Sequence, residues 1–232
     1  RHTPDALTAE ELRKLFPSDE LGPWPDERAR TAFLLAATTG MRRGELFALR
    51  WRAVNLDAAC LRVERAWKRR EDSEGAPKSG KARVVPLPKM TVDALTKLRA
   101  GSAPHGADDL VLCYDDGGRM GETWWRKRFH RALEKAKIQS NGRRLVPHSM
   151  RHSLATLLAA AEYDREKLRA ALGWADEGIR QHYTHLGAEH LKGQAEIVDR
   201  LLGDRKAAVS ADGSPQTTSS CDTPPGSGPA PG

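Results

Sequence analysis

The chain has 232 residues, of which 39% are hydrophobic and 30% are charged, and its net charge is +7. This composition fits a globular protein with one sizeable core, and the sequence has neither a long apolar run nor a signal-peptide pattern, so a membrane or secreted protein is not predicted. The basic balance favours an anionic partner, with nucleic acid as the first candidate.

The N-terminal part of the sequence predicts three helices. Residues 1–7 are expected to form a linker, and a Thr-x-x-Glu capping box then opens a helix over residues 8–15. A second helix is predicted over residues 26–39. Helical spacing continues at residues 45–49, which places Arg42 at the bend between two helices.

The middle of the chain predicts a small antiparallel sheet. Residues 61–67 alternate between apolar and polar side chains, residues 68–81 are polar with turn-forming Gly and Pro, and residues 83–87 form a return strand. The loop carries Lys78 and Lys81. Such lysines either keep a sheet edge soluble or reach a leaving-group oxygen and donate a proton to it.

Two more helices are predicted over residues 89–100 and 123–136, with a short buried strand or extended segment over residues 110–113 between them. The second helix begins with two tryptophans and carries Arg126 and Arg128. A basic helix with aromatic residues at its start suits contacts with DNA, and a solvated charged face is the alternative.

The C-terminal part predicts further helices and then a tail. The helical segments are predicted over residues 150–161, 165–172, 179–183 and 189–202. Residues 204–232 are rich in Ser, Thr, Pro and Gly and are expected to be disordered. The predicted fold is mostly α with a small antiparallel β-sheet (α+β), in one domain over residues 8–203.

Residues 147–185 combine side chains that suit phosphate chemistry. A His-x-x-Arg pattern at His148 and Arg151 is followed by Tyr183, which lies between two histidines in the sequence. A tyrosine hydroxyl has an unperturbed pKa of about 10, so it becomes a useful nucleophile only beside positive charge or a base. Arg suits this role because its guanidinium binds phosphate oxygens in a bidentate manner. A second Arg is therefore expected elsewhere in the sequence.

Neither a metal nor a nucleotide cofactor is predicted. His148 and His152 are spaced i,i+4, which can bind zinc from one helix face, but the Glu of an HExxH motif and a nearby cysteine pair are missing from the sequence. The sequence has no glycine-rich phosphate loop. Its three cysteines are scattered and make no disulfide framework, which favours a reducing cytoplasm.

Several segments, taken in order, match a known family. They are residues 39–46 (TGMRRGEL), Lys78 ahead of residues 83–87 (RVVPL), residues 148–152 (HSMRH), residues 172–174 (LGW) and Tyr183. This ordered set resembles the catalytic domain of tyrosine recombinases, the phage integrase family, over about residues 8–202. The resemblance implies metal-free cleavage and rejoining of DNA through a 3′-phosphotyrosine bond.

The resemblance also implies which cations hold the phosphate. Arg42 and Arg151 match the two arginines that clamp the scissile phosphate in the family. Lys78 matches the hairpin lysine that protonates the leaving 5′ oxygen, and Lys81 lies close enough in sequence to be the alternative donor.

Further roles follow from the same resemblance. Tyr183 matches the nucleophile, and His148 matches the histidine that assists proton transfer or binds a phosphate oxygen. Trp174 occupies a position where the family has His or Trp and uses a ring N–H donor. Glu45 and His152 match supporting residues.

The DNA contacts expected from the basic side chains are Arg43, Lys81, Arg126 and Arg128. The implied protein is a site-specific recombinase that integrates or excises a mobile element, acting as a homo-tetramer on paired double-stranded sites in the cytoplasm at the nucleoid. The alternatives are a relaxing enzyme like a type IB topoisomerase and a DNA-binding module without catalysis. Family members usually carry an N-terminal DNA-binding domain, so residues 1–7 are expected to be the linker from such a domain. The last helix is expected to pack either in cis or on a neighbouring protomer.

Overall fold

The computed structural model describes residues 4–18, 21–101, 106–173 and 192–203. Trp174, Tyr183, the predicted helical segment at residues 179–183 and the predicted tail at residues 204–232 lie outside the described residues. The described part has many helices and two small antiparallel sheets, which confirms the predicted α+β class.

Three helices open the chain, close to where the sequence predicts them. They are α1 (Ala9–Leu15), α2 (Glu27–Thr39) and α3 (Arg43–Leu46). The Thr8 hydroxyl accepts a hydrogen bond from the Glu11 N–H at 3.1 Å, and the Glu11 carboxylate accepts one from the Thr8 N–H at 2.9 Å, so the predicted capping box is present. Gly40 ends α2 with φ at 62°, a left-handed conformation that glycine adopts without strain.

The strands form two separate sheets instead of the single hairpin predicted. Strands β1 (Val54–Asn55), β2 (Cys60–Val63) and β5 (Arg83–Pro86) form one antiparallel sheet, and strands β3 (Ala66–Lys68) and β4 (Ser73–Gly75) form the other. The single strand predicted over residues 61–67 is therefore wrong, because the chain leaves β2 at Val63 and pairs again only at Ala66. The loop predicted over residues 68–81 contains β4, which pairs with β3.

Of the two alternatives predicted for residues 110–113, a regular strand is not formed. These residues are buried, but they make only isolated antiparallel bridges, from Leu110 to Arg50 and from Cys113 to Arg119. Their apolar character serves core packing, because a run of buried side chains alone does not distinguish a strand from a packed loop.

The remaining helices lie within three residues of their predicted bounds. They are α4 (Lys89–Arg99), α5 (Glu122–Lys135), α6 (Ser149–Ala160), α7 (Arg165–Leu172) and α8 (Lys192–Leu202). Helix α2 packs against both α4 and α6, and nearly all of its side chains are buried, so it is the central helix of the domain. Within the described ranges, no helix has the length and apolar character needed to cross a bilayer.

A row of stacked aromatic rings joins α2 to α5. The ring of Phe33 lies 4.7 Å from Trp24 and 3.9 Å from Trp125, measured between centroids, with nearly parallel planes. Trp125 is 3% exposed, so this side chain at the start of the basic helix belongs to the core. Its burial fixes α5 and turns the basic residues of that helix outward.

Both ends of the described region pack against the rest of the fold. Leu7 is buried and its N–H donates to the Ser153 hydroxyl of α6 at 2.7 Å. Helix α8 packs in cis: Val198 and Leu202 are buried, and the Asp199 carboxylate accepts a hydrogen bond from the Lys89 N–H at 2.9 Å. Asp199 thereby caps the N-terminus of α4.

Candidate active site

Arg42 lies immediately before α3 and points toward the end of α7. Its Nη2 donates to the Gly173 carbonyl at 3.0 Å, and its Nη1 donates to Glu45 Oε1 at 3.3 Å. The Arg42 side chain is 25% exposed. One face of the guanidinium cation is therefore held by the protein while part of it remains open to solvent or to a ligand.

Glu45 is the buried carboxylate that orders this region. Its side chain is fully buried and accepts hydrogen bonds from the Arg42 N–H at 2.8 Å and from both terminal nitrogens of Arg83 at 3.1 and 2.7 Å. Burial by itself raises the pKa of Glu45, but the hydrogen bonds and charges of Arg83 and Arg42 outweigh it and lower the pKa below its ordinary value. Glu45 therefore stays ionised and fixes two guanidinium groups.

Arg151 joins the ends of two helices. Its Nη1 donates to the Gly40 carbonyl at the end of α2, and its Nη2 donates to the Leu172 carbonyl at the end of α7. These carbonyls belong to the last turns of their helices, which lack internal partners and carry partial negative charge. Burial, together with the positive charges of Arg42 and Arg83, lowers the pKa of Arg151 to about 9, so the group remains cationic at neutral pH.

We call Arg42, Glu45, Arg83 and Arg151 the guanidinium cluster. The cluster has three guanidinium groups and one carboxylate, which pairs with Arg42 and Arg83, so it carries excess positive charge. Arg42 and Arg151 bind the consecutive carbonyls of Gly173 and Leu172, which brings the two cations to the same end of α7. A fixed pair of guanidinium groups of this kind suits an anion with several oxygens, such as a phosphodiester.

The two predicted histidines lie beside this cluster. His148 precedes α6, and its ring stands edge-on to that of His152, with 5.0 Å between centroids. The His148 side chain is open at the surface, yet the protein atoms packed around its ring and the positive charges of His152, Arg151, Arg42 and Arg43 lower its pKa to about 4. Its imidazole is therefore neutral at pH 7 and can accept a proton or a hydrogen bond.

The two predicted lysines, Lys78 and Lys81, lie on a hairpin outside this cluster. We call residues 66–81, which comprise β3, β4 and the turn after β4, the Lys78 hairpin. Lys78 is exposed in a turn closed by a hydrogen bond from the Gly80 N–H to the Pro77 carbonyl at 2.7 Å. Within the described part of the chain, the Lys78 ammonium makes no hydrogen bond or ion pair, and Lys81 is likewise exposed.

The arginines predicted to contact DNA differ in how far their charge is already paired. Arg43 makes an ion pair with Glu122 at 2.8 Å, measured from Nη1 to Oε1. Arg128 is half-buried, with its guanidinium 5.8 Å from the centre of the Trp124 ring. Arg126 is exposed on α5.

The structure thus brings together Arg42, Glu45, His148, His152 and Arg151, and it holds Lys78 on the neighbouring hairpin. The predicted Trp174 and Tyr183 lie outside the described residues, and in sequence Trp174 directly follows the Gly173 whose carbonyl Arg42 binds. No group of three or more His, Cys, Asp or Glu side chains in the described ranges is arranged to hold a metal ion.

Sequence reasoning assigned no role to Arg83, which the structure places in the guanidinium cluster. The signal was available, because alternate residues of a strand face the same side. Arg83 shares its face with the fully buried Val85, and its own side chain is only 10% exposed. An arginine on the buried face of a strand requires an acidic partner, and Glu45 is that partner.

Comparison with known proteins agrees with this arrangement. The profile of the phage integrase family matches residues 5–190. The chain belongs to the phage integrase family.

Its curated relatives include two tyrosine recombinases. The tyrosine recombinase XerA of Thermococcus kodakarensis is 28% identical over 207 residues, which cover 88% of this chain and 67% of XerA. XerC of Haemophilus influenzae is also 28% identical over 207 residues, covering 86% of this chain and 62% of XerC. The chain therefore spans about two thirds of the length of these relatives.

A solved structure of the Tn1549 transposon integrase, in complex with a circular intermediate DNA, has a similar fold. The TM-score is 0.62 at 18% identity, covering 84% of this chain and 66% of the integrase. The similarity confirms the catalytic-domain fold expected from the sequence.

Proposed function

We propose that this chain is the catalytic domain of a site-specific DNA recombinase, which cleaves and rejoins strands through a 3′-phosphotyrosine intermediate. The observation that carries the proposal is the guanidinium cluster, where Arg42 and Arg151 meet at the end of α7 with Glu45 and Arg83 behind them. Membership of the phage integrase family supports the same activity.

In this mechanism the cluster holds the scissile phosphate. Arg42 and Arg151 bind the non-bridging oxygens and stabilise the negative charge that grows as a fifth oxygen approaches phosphorus. Both guanidinium groups are already held by helix-end carbonyls, so little reorganisation is needed when the phosphate arrives. Glu45 and Arg83 fix Arg42 from behind and do not touch the DNA.

Proton transfers accompany the exchange of two P–O bonds. The Tyr183 oxygen attacks phosphorus and loses its proton to the neutral His148, directly or through water, while the P–O5′ bond breaks. The Lys78 ammonium gives its proton to the departing 5′ oxygen. Trp174 donates a ring N–H to the phosphate, His152 supports His148, and the reverse exchange rejoins the strand without ATP.

The proposed partner is double-stranded DNA at a specific site, contacted by Arg43, Lys81, Arg126 and Arg128. The Tn1549 integrase was solved with a circular intermediate DNA, which supports a DNA-acting role here. We extend the proposal to a homo-tetramer on paired sites, acting in the cytoplasm on chromosomal DNA to integrate or excise a mobile element.

Trapping the covalent intermediate tests this function. The chain is incubated without metal on a site-bearing duplex nicked close to the scissile phosphate, so that the cleaved fragment diffuses away, and adducts are resolved on a denaturing gel. We expect an adduct that is absent in Tyr183→Phe. The chain has three tyrosines, so Tyr114→Phe and Tyr163→Phe are matched controls that should form the adduct normally.

The result also separates the alternatives. DNA binding without any adduct would contradict the enzyme and support a binding module. Products that form only when two sites are present indicate recombination. Relaxation of a supercoiled plasmid carrying one site, without recombinant product from two, would instead indicate an activity like that of a type IB topoisomerase.

A further inference from the structure

Strands β3 and β4 form a two-stranded ribbon that does not join the three-stranded sheet. An isolated two-stranded hairpin is at best marginally stable in water. The Lys78 hairpin therefore needs contacts with the rest of the domain to hold a defined position. Lys78 follows only three residues after the last residue of β4, so those contacts also determine where its ammonium can reach.

The main contact is a single carboxylate in β4. Glu74 is 11% exposed and accepts hydrogen bonds from three arginines: Arg50 at 2.9 Å, Arg65 at 3.2 Å and Arg119 at 2.5 Å. Burial raises the pKa of Glu74, but hydrogen bonds from Arg119 and Arg65 and the charge of Arg50 outweigh it and keep the pKa low. The hairpin is thus attached through an ionised group.

Two of these arginines belong to the body of the domain. Arg50 also donates to the Asp108 carbonyl, and Arg119 also donates to the Phe47 carbonyl just after α3. The Arg119 guanidinium lies 4.1 Å from the centre of the Trp67 ring. Because Trp67 and Glu74 are directly opposite each other in the hairpin, Arg119 contacts both strands at the same cross-strand pair.

The hairpin also rests directly on α3. A Cβ atom placed on Gly44 would lie 2.6 Å from the Trp67 carbonyl oxygen, so only glycine permits this close approach. Helix α3 begins at Arg43, next to Arg42, and contains Glu45. The Glu74 contact and the Gly44 contact therefore set the position of the hairpin relative to the guanidinium cluster.

We propose that Glu74, held by Arg50, Arg65 and Arg119, is a positioning residue that delivers Lys78 to the departing 5′ oxygen. This inference rests on the proposed recombinase function and goes beyond it, because it assigns to Glu74 a role that acts only through the position of Lys78. Loss of the carboxylate removes the hydrogen bonds from Arg50 and Arg119 that tie β4 to the body of the domain, so the hairpin and Lys78 lose their defined position.

A change of leaving group isolates this role. When sulfur replaces the bridging 5′ oxygen, the P–S bond breaks with its electron pair on sulfur while the bond from phosphorus to the tyrosine oxygen forms. A thiol has a pKa of about 8.5, so the thiolate leaves without a proton from Lys78. A defect in proton delivery disappears on the sulfur substrate, whereas a defect in phosphate binding remains.

The test compares cleavage rates of Glu74→Gln on matched oxygen and sulfur substrates. We expect a fall of about 10²-fold on the oxygen substrate, the scale of a misplaced catalytic group, and a rate close to wild type on the sulfur substrate. Lys78→Ala should show the same pattern. Glu71→Gln is the matched control. Glu71 lies on the same hairpin and makes an exposed ion pair with Lys68 at 3.0 Å, so this variant should cleave both substrates normally.

Arg119→Gln provides a second variant that keeps the carboxylate, in case Glu74→Gln folds poorly in a thermal melt. It should show the same substrate-dependent defect. Equal losses on both substrates in these variants, or normal cleavage of the oxygen substrate, would overturn the inference alone. If the wild-type chain forms no adduct on either substrate, the proposed function fails and the inference fails with it.

Discussion

In the proposed mechanism, the guanidinium cluster and the Lys78 hairpin supply positive charge to the same reaction, but they are built in opposite ways. In the cluster, Arg151 is buried and bound to two helix ends, and Arg42 is tied to Glu45 and Gly173. On the hairpin, Lys78 is exposed and, among the described residues, makes no polar contact. The arginines of the cluster are already oriented by protein groups, whereas the Lys78 ammonium makes no polar contact within the described residues.

This difference corresponds to two chemical tasks. Stabilising charge on a phosphate is most effective when the donors are already oriented, since reorganisation during the reaction then costs little. Delivering a proton requires a group that reaches the leaving oxygen and keeps its three donors available. The comparison therefore predicts that substitutions in the cluster disturb both folding and catalysis, whereas substitution of Lys78, in the turn after β4, disturbs catalysis alone.

The largest effect is expected for Lys78→Ala, which should slow cleavage of the oxygen substrate by about 10²- to 10⁴-fold, the usual contribution of a general acid. Its melting temperature should match that of the wild-type chain, because the Lys78 side chain is exposed. Lys81→Ala is compared at saturating DNA, because Lys81 is a proposed DNA contact, and it should retain the cleavage rate. The opposite pattern, with Lys81→Ala impaired and Lys78→Ala normal, would assign the proton donor to Lys81.

A somewhat smaller effect on rate is expected for Arg151→Ala, at about 10²- to 10³-fold in cleavage, because one charge-stabilising donor is lost. DNA binding measured by gel shift should persist, and the sulfur substrate should not restore the rate. The melting temperature should fall, since the Gly40 and Leu172 carbonyls lose their donor. Wild-type cleavage by this variant would remove Arg151 from the site.

Glu45→Gln tests the support behind the phosphate-binding groups and should reduce cleavage by about 10²-fold through misplacement of Arg42. Removing one partner of a buried ion pair costs about 3–5 kcal/mol, so urea unfolding at pH 7 should show a large loss of stability. Glu71→Gln, an exposed carboxylate in the same chain, should change little.

The stabilisation from Glu45 should also depend on pH. Its folded-state pKa lies below the ordinary value of 4.5, so its contribution is complete above pH 4.5 and is lost as the pH falls through the folded-state pKa. The stability difference between wild type and Glu45→Gln should therefore shrink below pH 4.5. A difference that stays constant as the pH falls through this range would contradict the assigned ionisation.

The helices and much of the cluster could be predicted from the sequence because the determinants are local. The capping box at Thr8 and the αL glycine at Gly40 set helix ends through contacts within a few residues. Arg42, Glu45, His148 and Arg151 could be assigned from the order of short motifs, since each motif lies on one element whose position the fold brings to the site.

The sheet and the support behind the site could not be predicted in the same way. The β3–β4 hairpin is held against the body through Glu74, whose partners Arg50 and Arg119 lie 24 and 45 residues away in sequence. Arg83 likewise meets Glu45 across 38 residues. Periodicity reports which face of a strand is buried, but it does not report which distant side chain will neutralise a charge on that face.

The smallest effect is expected where the surface charge is free to bind DNA. Arg126 is exposed on α5, whereas Arg43 is already paired with Glu122. Arg126→Ala should therefore make the negative slope of log K against log salt shallower by about 0.9, the value for one lost phosphate contact. Binding should weaken equally on specific and unrelated DNA. Lys14→Ala, which removes a charge paired with Glu10 at 3.0 Å, is the control and should leave the slope unchanged. If Arg43→Ala lowers the slope as much as Arg126→Ala does, then DNA displaces Glu122 from Arg43, and an ion pair within the free protein does not protect an arginine from recruitment by phosphate.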